Sequence, residues 1–198
     1  VRAAYLEKNE AFDPAGVVDF LLREKDSASS VLSCITAART NARMVRTALT
    51  REVWEATNEC WMAVSAALQR KVGERELPDV LNVIRQQSAQ VRGALHGTML
   101  RNDIYDFARI GTFIERADNT ARILDVKYYV LLPSAMPVGS TFDNVQWDNI
   151  LRSVSAHRSF RHVHSGETNA AAIADFLILD RRMPRSLAFC YGKINDNL

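Results

Sequence analysis

The residues best suited to chemistry lie close together in the segment FARIGTFIERADNTARILDVKY, residues 107–128. Its candidate polar side chains are Glu115, Arg116, Asp118, Asn119, Arg122 and Asp125. On a helix Asp118 faces Arg122, because residues four positions apart are neighbours. The same spacing places Glu115 beside Asn119, and Arg122 and Asp125, three positions apart, are also neighbours. We therefore predict a hydrogen-bonded ladder of side chains over three helical turns.

This ladder has three interpretations, which the sequence leaves open. The first is a solvated face of ion pairs that only fixes helix register, since such exposed pairs are common and weak. The second is a polar pocket between helices, in which arginine binds a carboxylate or phosphate and glutamate positions a proton or an amine. The third is catalysis of amide or ester transfer, with Glu115 as general base and Arg116 or Arg122 stabilising an oxyanion.

A second group of candidates lies in AARTNARMVR, residues 37–46. Arg39, Arg43 and Arg46 occur at helical spacings of four and three and form one basic stripe. We take Arg39, Asn41 and Arg43 as binding candidates. Nucleic acid is a poor partner, because no aromatic residues interleave with the stripe and acidic residues follow it. A buried partnership between the stripe and the carboxylates of the ladder is favoured, either as a structural contact or as an anion site.

No motif points to a metal or a cofactor. His157, His162 and His164 have no cysteine or carboxylate at a persuasive metal-ligand spacing, and we expect a surface cluster. The sequence has no Glu-x-x-His pair of the kind that di-iron bundles use. It also lacks the GxSxG elbow, the P-loop and the GxGxxG turn. We therefore predict no metal site and no cofactor.

The composition favours helices. With 47% hydrophobic residues but only 8 glycines and 5 prolines among 198 residues, we predict an all-α multi-helix bundle without a significant β-sheet. The 25 basic and 23 acidic residues are interspersed and give a net charge of +2, which disfavours nucleic-acid binding. No segment approaches the ~20 apolar residues that a membrane span needs. Three distant cysteines without a CxxC pair favour reduced thiols and a cytoplasmic location.

Capping residues and periodicity predict the helices that carry the candidates. Helix starts are expected near Asp13, Ala28, Thr50, Leu77, Asn102, Asp143 and Thr168. The helix after Thr50 should reach about Val72, and the central helix beyond Asn102 should end before a loop that starts at Pro133. The apolar residues of the central helix are spaced by three and four, which predicts a packed seam: Phe107, Ile110, Ile114, Ala117, Ala121, Leu124, Tyr128 and Leu131.

The sequence contains an internal repeat. DFLLREKDSASSVLSC, residues 19–34, matches DFLILDRRMPRSLAFC, residues 175–190, without a gap. Both ends give one offset, since 175 − 19 = 156 and 190 − 34 = 156. At that offset the counterpart of Arg116 would lie about forty positions before Val1. We therefore expect residues 1–198 to be a single domain, truncated at both ends, from a larger two-fold pseudo-repeat.

Together with SCITAARTNARMVR, REVWEATN and FLILDRRMPRSLAFC, the central-helix sequence resembles the alpha-E family, bacterial helical proteins named for a helix with a Glu-Arg motif. The resemblance places that motif on Glu115 and Arg116, and it implies a longer protein with an earlier Glu-Arg helix. It also implies gene neighbourhoods with circularly permuted ATP-grasp enzymes and transglutaminase-like proteins. Gly111-Thr112-Phe113 departs from the family's usual Gly-Arg-aromatic form, so an anion contact by an arginine at position 112 is not expected.

Our leading hypothesis is a helical accessory or binding protein that acts with an ATP-dependent peptide or amide ligase. Its expected partners are an ATP-grasp-type ligase or a transglutaminase-like protein. An enzyme acting at the Glu-Arg helix and a purely structural scaffold are the alternatives, so enzymatic activity is left open. If repeat helices are missing, the apolar surface left behind favours a homo-oligomer.

Overall fold

The computed structural model describes residues 5–7, 13–127, 140–164 and 169–198. Among these residues the regular structure is helical and no β-strand occurs, which confirms the all-α prediction. The chain divides into two compact units, residues 1–100 and residues 101–198. The expectation of a single domain stays a prediction.

The first unit consists of helices that surround one apolar cluster. They are α1 (Pro14–Arg23), α2 (Val31–Met44), α3 (Arg51–Ala67) and α4 (Leu77–Thr98), with a 3-10 turn at Arg46–Ala48 between α2 and α3. The most extensive contact between helices of this unit is that of α3 with α4. The buried cluster of the first unit contains Leu22, Val64, Leu68, Val72 and Val80. Burial of these side chains is the main force that holds the unit together.

The second unit is built on the central helix. Its helices are α5 (Asp103–Val126), α6 (Thr141–Ser153), α7 (His157–Val163), α8 (Ala170–Leu179) and α9 (Leu187–Asn195). α5 packs mainly on α9, while α6 contacts α7 and α8. The largest side chains of the buried cluster come from α6, α7 and α8: Trp147, Ile150, Leu151, Phe160, Ile173, Phe176 and Leu177.

Side-chain caps begin most helices, and several were predicted. Asp13 caps α1 and Thr50 caps α3, as expected from their positions before apolar segments. Ser140, rather than Asp143, caps α6. Asn169 caps α8, and the predicted cap Thr168 lies outside the described residues.

The sequence also predicted where α3 and α5 end. α3 ends at Ala67, earlier than the predicted Val72, because the chain turns there and buries Leu68 and Val72 in the core of the first unit. The predicted end of the central helix and the loop beginning at Pro133 lie outside the described residues.

The predicted seam of α5 is correct only in part. Leu124 is buried as predicted, but Phe107 is 74% exposed and Ile114 is 54% exposed, and the residues buried together with Leu124 are Tyr105, Phe113 and Thr120. The predicted seam members Tyr128 and Leu131 lie outside the described residues. α5 carries apolar residues on two neighbouring stripes, and periodicity alone does not choose between them. The buried stripe was hidden because one of its members is a threonine, which a hydrophobic pattern counts as polar.

The repeated segments adopt the same local structure. α1 spans residues 14–23 and α8 spans residues 170–179, which is the same span displaced by 156, since 170 − 14 = 156. Their caps, Asp13 and Asn169, are displaced by the same number. After each helix a carboxylate accepts the backbone N–H two residues later: Glu24 from Asp26 at 3.1 Å, and Asp180 from Arg182 at 2.8 Å.

The next helix also begins alike in both repeats. Ser30 accepts the backbone N–H of Ser33 at 3.2 Å, and Ser186 accepts that of Phe189 at 3.0 Å. Both serines are buried. The shared hydrogen bonds explain why a carboxylate and a serine recur at matched places in both segments. The wider two-fold pseudo-repeat stays a prediction.

Candidate functional site

The polar face of α5 contains side-chain hydrogen bonds in two of the three pairs that spacing predicted. Asn119 Nδ2 donates to Glu115 Oε1 at 2.8 Å, and Arg122 Nε donates to Asp118 Oδ2 at 2.6 Å. The second pair also raises the pKa of Arg122, first through this hydrogen bond and then through the charge of Asp118. These two predicted pairs are confirmed. Asp125 adds a weaker favourable charge interaction with Arg122.

This polar face is open to solvent. The side chain of Arg122 is 75% exposed and that of Asp118 is 48% exposed, and Glu115, Asn119 and Asp125 are exposed as well. Water screens ion pairs of this kind, so the pairs contribute little to folding stability. Their main effect is to orient the paired side chains relative to each other on this face.

Arg116 differs from its neighbour Glu115. It is half-buried, and its guanidinium lies 5.5 Å from the ring centroid of Phe113. Burial raises the pKa of the Cys190 thiol on α9, and the positive charge of Arg116 opposes that rise. Arg116 therefore belongs to the packed side of α5, although the sequence grouped it with the polar ladder.

Sequence reasoning missed the aromatic cluster beside Arg116. The guanidinium of Arg109 lies 4.5 Å from the centroid of the Phe113 ring, which packs edge-on against Phe189 with centroids 5.9 Å apart. Phe113 thus interacts with two arginines and one phenylalanine. The signal was present in the spacing of Arg109, Phe113 and Arg116 by four and three.

The basic stripe of α2 rests on aromatic residues of α3. Arg39 Nε donates to Asn58 Oδ1 at 2.8 Å, and its guanidinium lies 4.1 Å from the Trp61 ring centroid. The guanidinium of Arg46 lies 5.4 Å from the Trp54 ring centroid. The aromatic residues that contact the stripe thus lie on α3 and not within the sequence of the stripe. That nucleic acid is a poor partner stays a prediction. Trp54 and Trp61 are seven residues apart on one face of α3, which was the available signal.

The remaining candidates of the stripe are Asn41 and Arg43, which are exposed. Arg39 is half-buried because Trp61 covers it. These residues belong to the first unit and the ladder of α5 belongs to the second. The predicted partnership between the two groups stays a prediction.

One predicted histidine has a carboxylate partner after all. His157 Nε2 lies 2.9 Å from Asp148 Oδ1, and Arg152 Nε donates to the other oxygen of Asp148 at 2.6 Å. The Arg152 hydrogen bond is the largest cause of the lowered pKa of Asp148, and His157 adds to it. His164 instead stacks on Phe160, with centroids 4.6 Å apart. Within the described parts of the chain, no group of three histidine, cysteine or acidic residues could hold a metal ion.

A buried lysine was also missed. Lys127 is 0% exposed, and its Nζ donates to Asp143 Oδ1 at 2.5 Å and to Gln146 Oε1 at 2.7 Å. Its Nζ also lies 5.4 Å from the Trp147 ring centroid. Lys127 follows Thr120 by seven residues, so it continues the buried stripe of α5. The charge is compensated by Asp143, as a buried charge requires.

A comparison with protein families identifies the chain. Residues 2–198 match the family Alpha-E, described as a predicted alpha-helical domain with a conserved ER motif. No curated protein and no solved structure matches the chain. Among the described residues, no helix combines the length and apolar character needed to cross a membrane. With the family match covering both units and α5 carrying a Glu115–Arg116 pair, the chain belongs to the alpha-E family.

Proposed function

We propose that this protein is a helical accessory or binding protein that presents the exposed polar face of α5 to a partner or ligand. The supporting observation is that the side chains of that face are hydrogen-bonded in pairs and exposed to water. Glu115 and Asp118 are held by Asn119 and Arg122 while remaining open to water. Side chains that are both ordered and accessible lose little conformational entropy when a partner binds them.

Exposure favours binding over catalysis at Glu115. A general base commonly lies in a site that excludes water and orients the base toward the proton that it removes. Glu115 lies in water, and Asn119, a neutral amide, donates to it. Arg116, one of the two proposed oxyanion partners, is half-buried beside Phe113. The other, Arg122, donates to Asp118. Arg116 and Glu115 are therefore poorly placed to act on one reacting atom.

Arg39 supports a second contact, with a carboxylate or phosphate. Asn58 and Trp61 hold its guanidinium from one edge and one face. A guanidinium that is fixed in this way is suited to bidentate anion binding, because its donors are already oriented. Arg43 lies exposed one turn further along the same helix and extends this surface, whereas Asn41, also exposed, points to a different side of the helix.

The partner that we propose is an ATP-grasp-type ligase or a transglutaminase-like protein, in a system that makes or modifies amide bonds. The gene neighbourhoods that the resemblance to the alpha-E family implies support this choice. Amide ligation involves carboxylates, amines and phosphate groups, and both surfaces carry side chains that bind such groups. The accessory protein would hold a substrate or the ligase itself, with the ligase carrying out the chemistry.

Substitutions on the polar face test this proposal. Glu115→Gln together with Arg122→Lys should preserve the helix but change the charges and hydrogen-bonding geometry that a partner meets. In a deletion strain of the native host, we expect this variant to fail to restore the ligase-dependent product. Failure should occur at unchanged protein abundance and unchanged helical circular dichroism.

A matched control is available on α3. Arg51 and Glu55 form another pair four residues apart, with side chains 82% and 48% exposed, close to the values of Arg122 and Asp118. The control Arg51→Lys with Glu55→Gln should restore the product like the native sequence. If both variants restore it, the polar face of α5 is a structural feature only, and the scaffold interpretation is correct.

A further inference from the structure

A groove in the second unit lies between α7, α8 and the turn that follows α8. Its volume is about 410 Å³, which is within the range of sites that hold small ligands. The buried side chains of Phe176 and Met183 belong to its apolar lining. Val163 and Pro184 extend that lining to the surface, where both are exposed. We call this site the α7 groove.

The polar lining of the α7 groove is rich in cations and hydrogen-bond donors. Arg158, Ser159 and His162 contribute from α7, and Arg182 contributes from the turn. His162 lies four positions after Arg158 and three after Ser159, so the three side chains are neighbours on one side of the helix. Phe160 is 1% exposed and packs edge-on against an aromatic ring of α8, which fixes α7 with its polar side towards the groove.

Asp180 is the one carboxylate among the described residues that line the α7 groove, and Arg182 compensates its charge. The carboxylate accepts from the backbone N–H of Arg182 at 2.8 Å, from Nε at 3.1 Å and from Nη2 at 2.6 Å. These hydrogen bonds leave Nη1 of Arg182 for a ligand. Within the described part of the chain, no hydrogen bond or ion pair engages the guanidinium of Arg158. Arg158 therefore gives the groove an excess of positive charge.

The first unit has a groove at the matching place but without this excess. Its lining includes Phe20, Glu24 and Asp26, each displaced by 156 from a lining residue of the α7 groove, since 20 + 156 = 176, 24 + 156 = 180 and 26 + 156 = 182. An aspartate thus occupies the position of Arg182. Four acidic and three basic residues line the groove of the first unit. The repeated turn forms a groove in both units, whereas the surplus of cations belongs to the second.

We propose that the α7 groove binds a phosphate monoester that carries a small apolar group. A guanidinium can donate two parallel hydrogen bonds to phosphate oxygens, a role that suits Arg158. A phosphate monoester has three acceptor oxygens, one more than a carboxylate, so Ser159, His162 and Nη1 of Arg182 can bind it at the same time. The apolar group lies against the buried ring of Phe176. The proposal does not depend on the proposed function of the α5 polar face, which other residues form.

Phenyl phosphate is the probe, and isothermal titration calorimetry of the full-length protein at constant ionic strength measures its affinity. We expect it to bind at least about fivefold more tightly than inorganic phosphate, because the groove removes apolar surface of the ring from water. Phenol, which lacks the phosphate, should show no binding at the same concentrations. Benzoate, which replaces the phosphate with a carboxylate, should bind more weakly than phenyl phosphate.

Arg158→Gln removes the main anion contact. We expect this variant to bind phenyl phosphate at least about tenfold more weakly, as follows from the loss of a charged hydrogen-bonding partner. Because Arg158 is exposed, the midpoint of thermal unfolding should not change. Lys25→Gln is the matched control, since it removes the same charge from an exposed residue that lines the groove of the first unit. Its affinity for phenyl phosphate should equal that of the native protein.

His162 reports where the probe binds. Its ring resonances in the NMR spectrum, assigned by their loss in His162→Gln, should shift when phenyl phosphate is added, whereas those of His96 on α4 should not. No binding of phenyl phosphate, unchanged His162 resonances, or equal weakening by Arg158→Gln and Lys25→Gln contradicts the proposal. Inorganic phosphate binding as tightly as phenyl phosphate also contradicts it. Tighter binding of benzoate would overturn it in favour of a carboxylate ligand.

Discussion

Glu115 and Arg116 show how much one helical position changes the surroundings of a side chain. Glu115 is exposed and accepts a hydrogen bond from Asn119, while Arg116 is half-buried and lies beside Phe113. Adjacent residues on a helix differ in direction by about a quarter of a turn or more, since one turn takes about 3.6 residues. The pair should therefore be regarded as two residues with separate roles, one at the surface and one in packing.

The charge of Asp180 stabilises the turn between α8 and α9. It accepts from the backbone N–H of Arg182 at 2.8 Å and from Nη2 of the same arginine at 2.6 Å. The side-chain hydrogen bond is the largest cause of its lowered pKa, and the backbone hydrogen bond adds to it. The ionised carboxylate thus stabilises the folded turn.

Asp180→Asn should change how stability depends on pH. Because the folded-state pKa lies below 3.8, the ionised carboxylate stabilises the fold at pH values above 3.8, and that contribution is lost as pH falls through the lowered pKa. We expect the variant to be less stable than the native protein at pH 7, with a difference that shrinks as the pH falls below 3.8. Urea unfolding at several pH values measures this difference. A difference that stays constant down to the lowest pH contradicts the prediction, and Asp196→Asn, in the exposed pair with Lys193, serves as the control.

At the scale of elements, a single hydroxyl joins α5 to the start of α9. Thr120 is 1% exposed and donates to the backbone oxygen of Arg185, 65 residues away. This hydrogen bond crosses between elements, so it fixes how α5 lies on α9. A partly buried carbonyl that loses its donor keeps much of its desolvation cost without compensation.

Thr120→Val should therefore destabilise the protein by about 1–3 kcal/mol, because valine has the same shape but no donor. The control is Thr112→Val, since the Thr112 hydroxyl donates at 2.9 Å to Ala108 within α5 and joins no second element. Removing that bond should cost much less. Chemical denaturation of both variants compares the free energies of unfolding. Equal losses would show that the cross-element hydrogen bond has no special role.

The helices were predictable from the sequence more completely than the contacts between them. Asp13 and Thr50 begin helices because their side chains cap nearby N–H groups, which is a local property. Part of the predicted seam of α5 is exposed because the stripe that is buried includes Thr120, whose partner Arg185 is distant in sequence. The sequence pattern around Thr120 contains no information about a partner so distant in the chain.

The same distinction applies to the candidate site, where contacts within one helix were predictable and contacts between helices were not. The pairing of Asp118 with Arg122 follows from helix geometry and was predicted. The contact of Arg39 with Trp61 depends on how α2 packs on α3, and the spacing within α2 carries no information about it. Residues that interact across elements therefore need the fold before their environment can be stated.

At the scale of the whole molecule, each unit has its own apolar cluster. The cluster of the first unit includes Val64, which is 0% exposed. The cluster of the second unit includes Leu177, also 0% exposed. A cluster that is built from residues of one unit should stabilise that unit more than the other, because packing interactions act over short distances.

Leu177→Ala tests this expectation. Removing a fully buried leucine side chain should destabilise the second unit by about 2–5 kcal/mol, through lost burial and the cavity left behind. Native-state hydrogen exchange should then show a larger loss of amide protection in α8 and α9 than in α3 and α4. Val64→Ala is the reciprocal control and should affect α3 and α4 more. If either substitution lowers protection equally in both groups of helices, the two units unfold together and the clusters stabilise the molecule as one cooperative body.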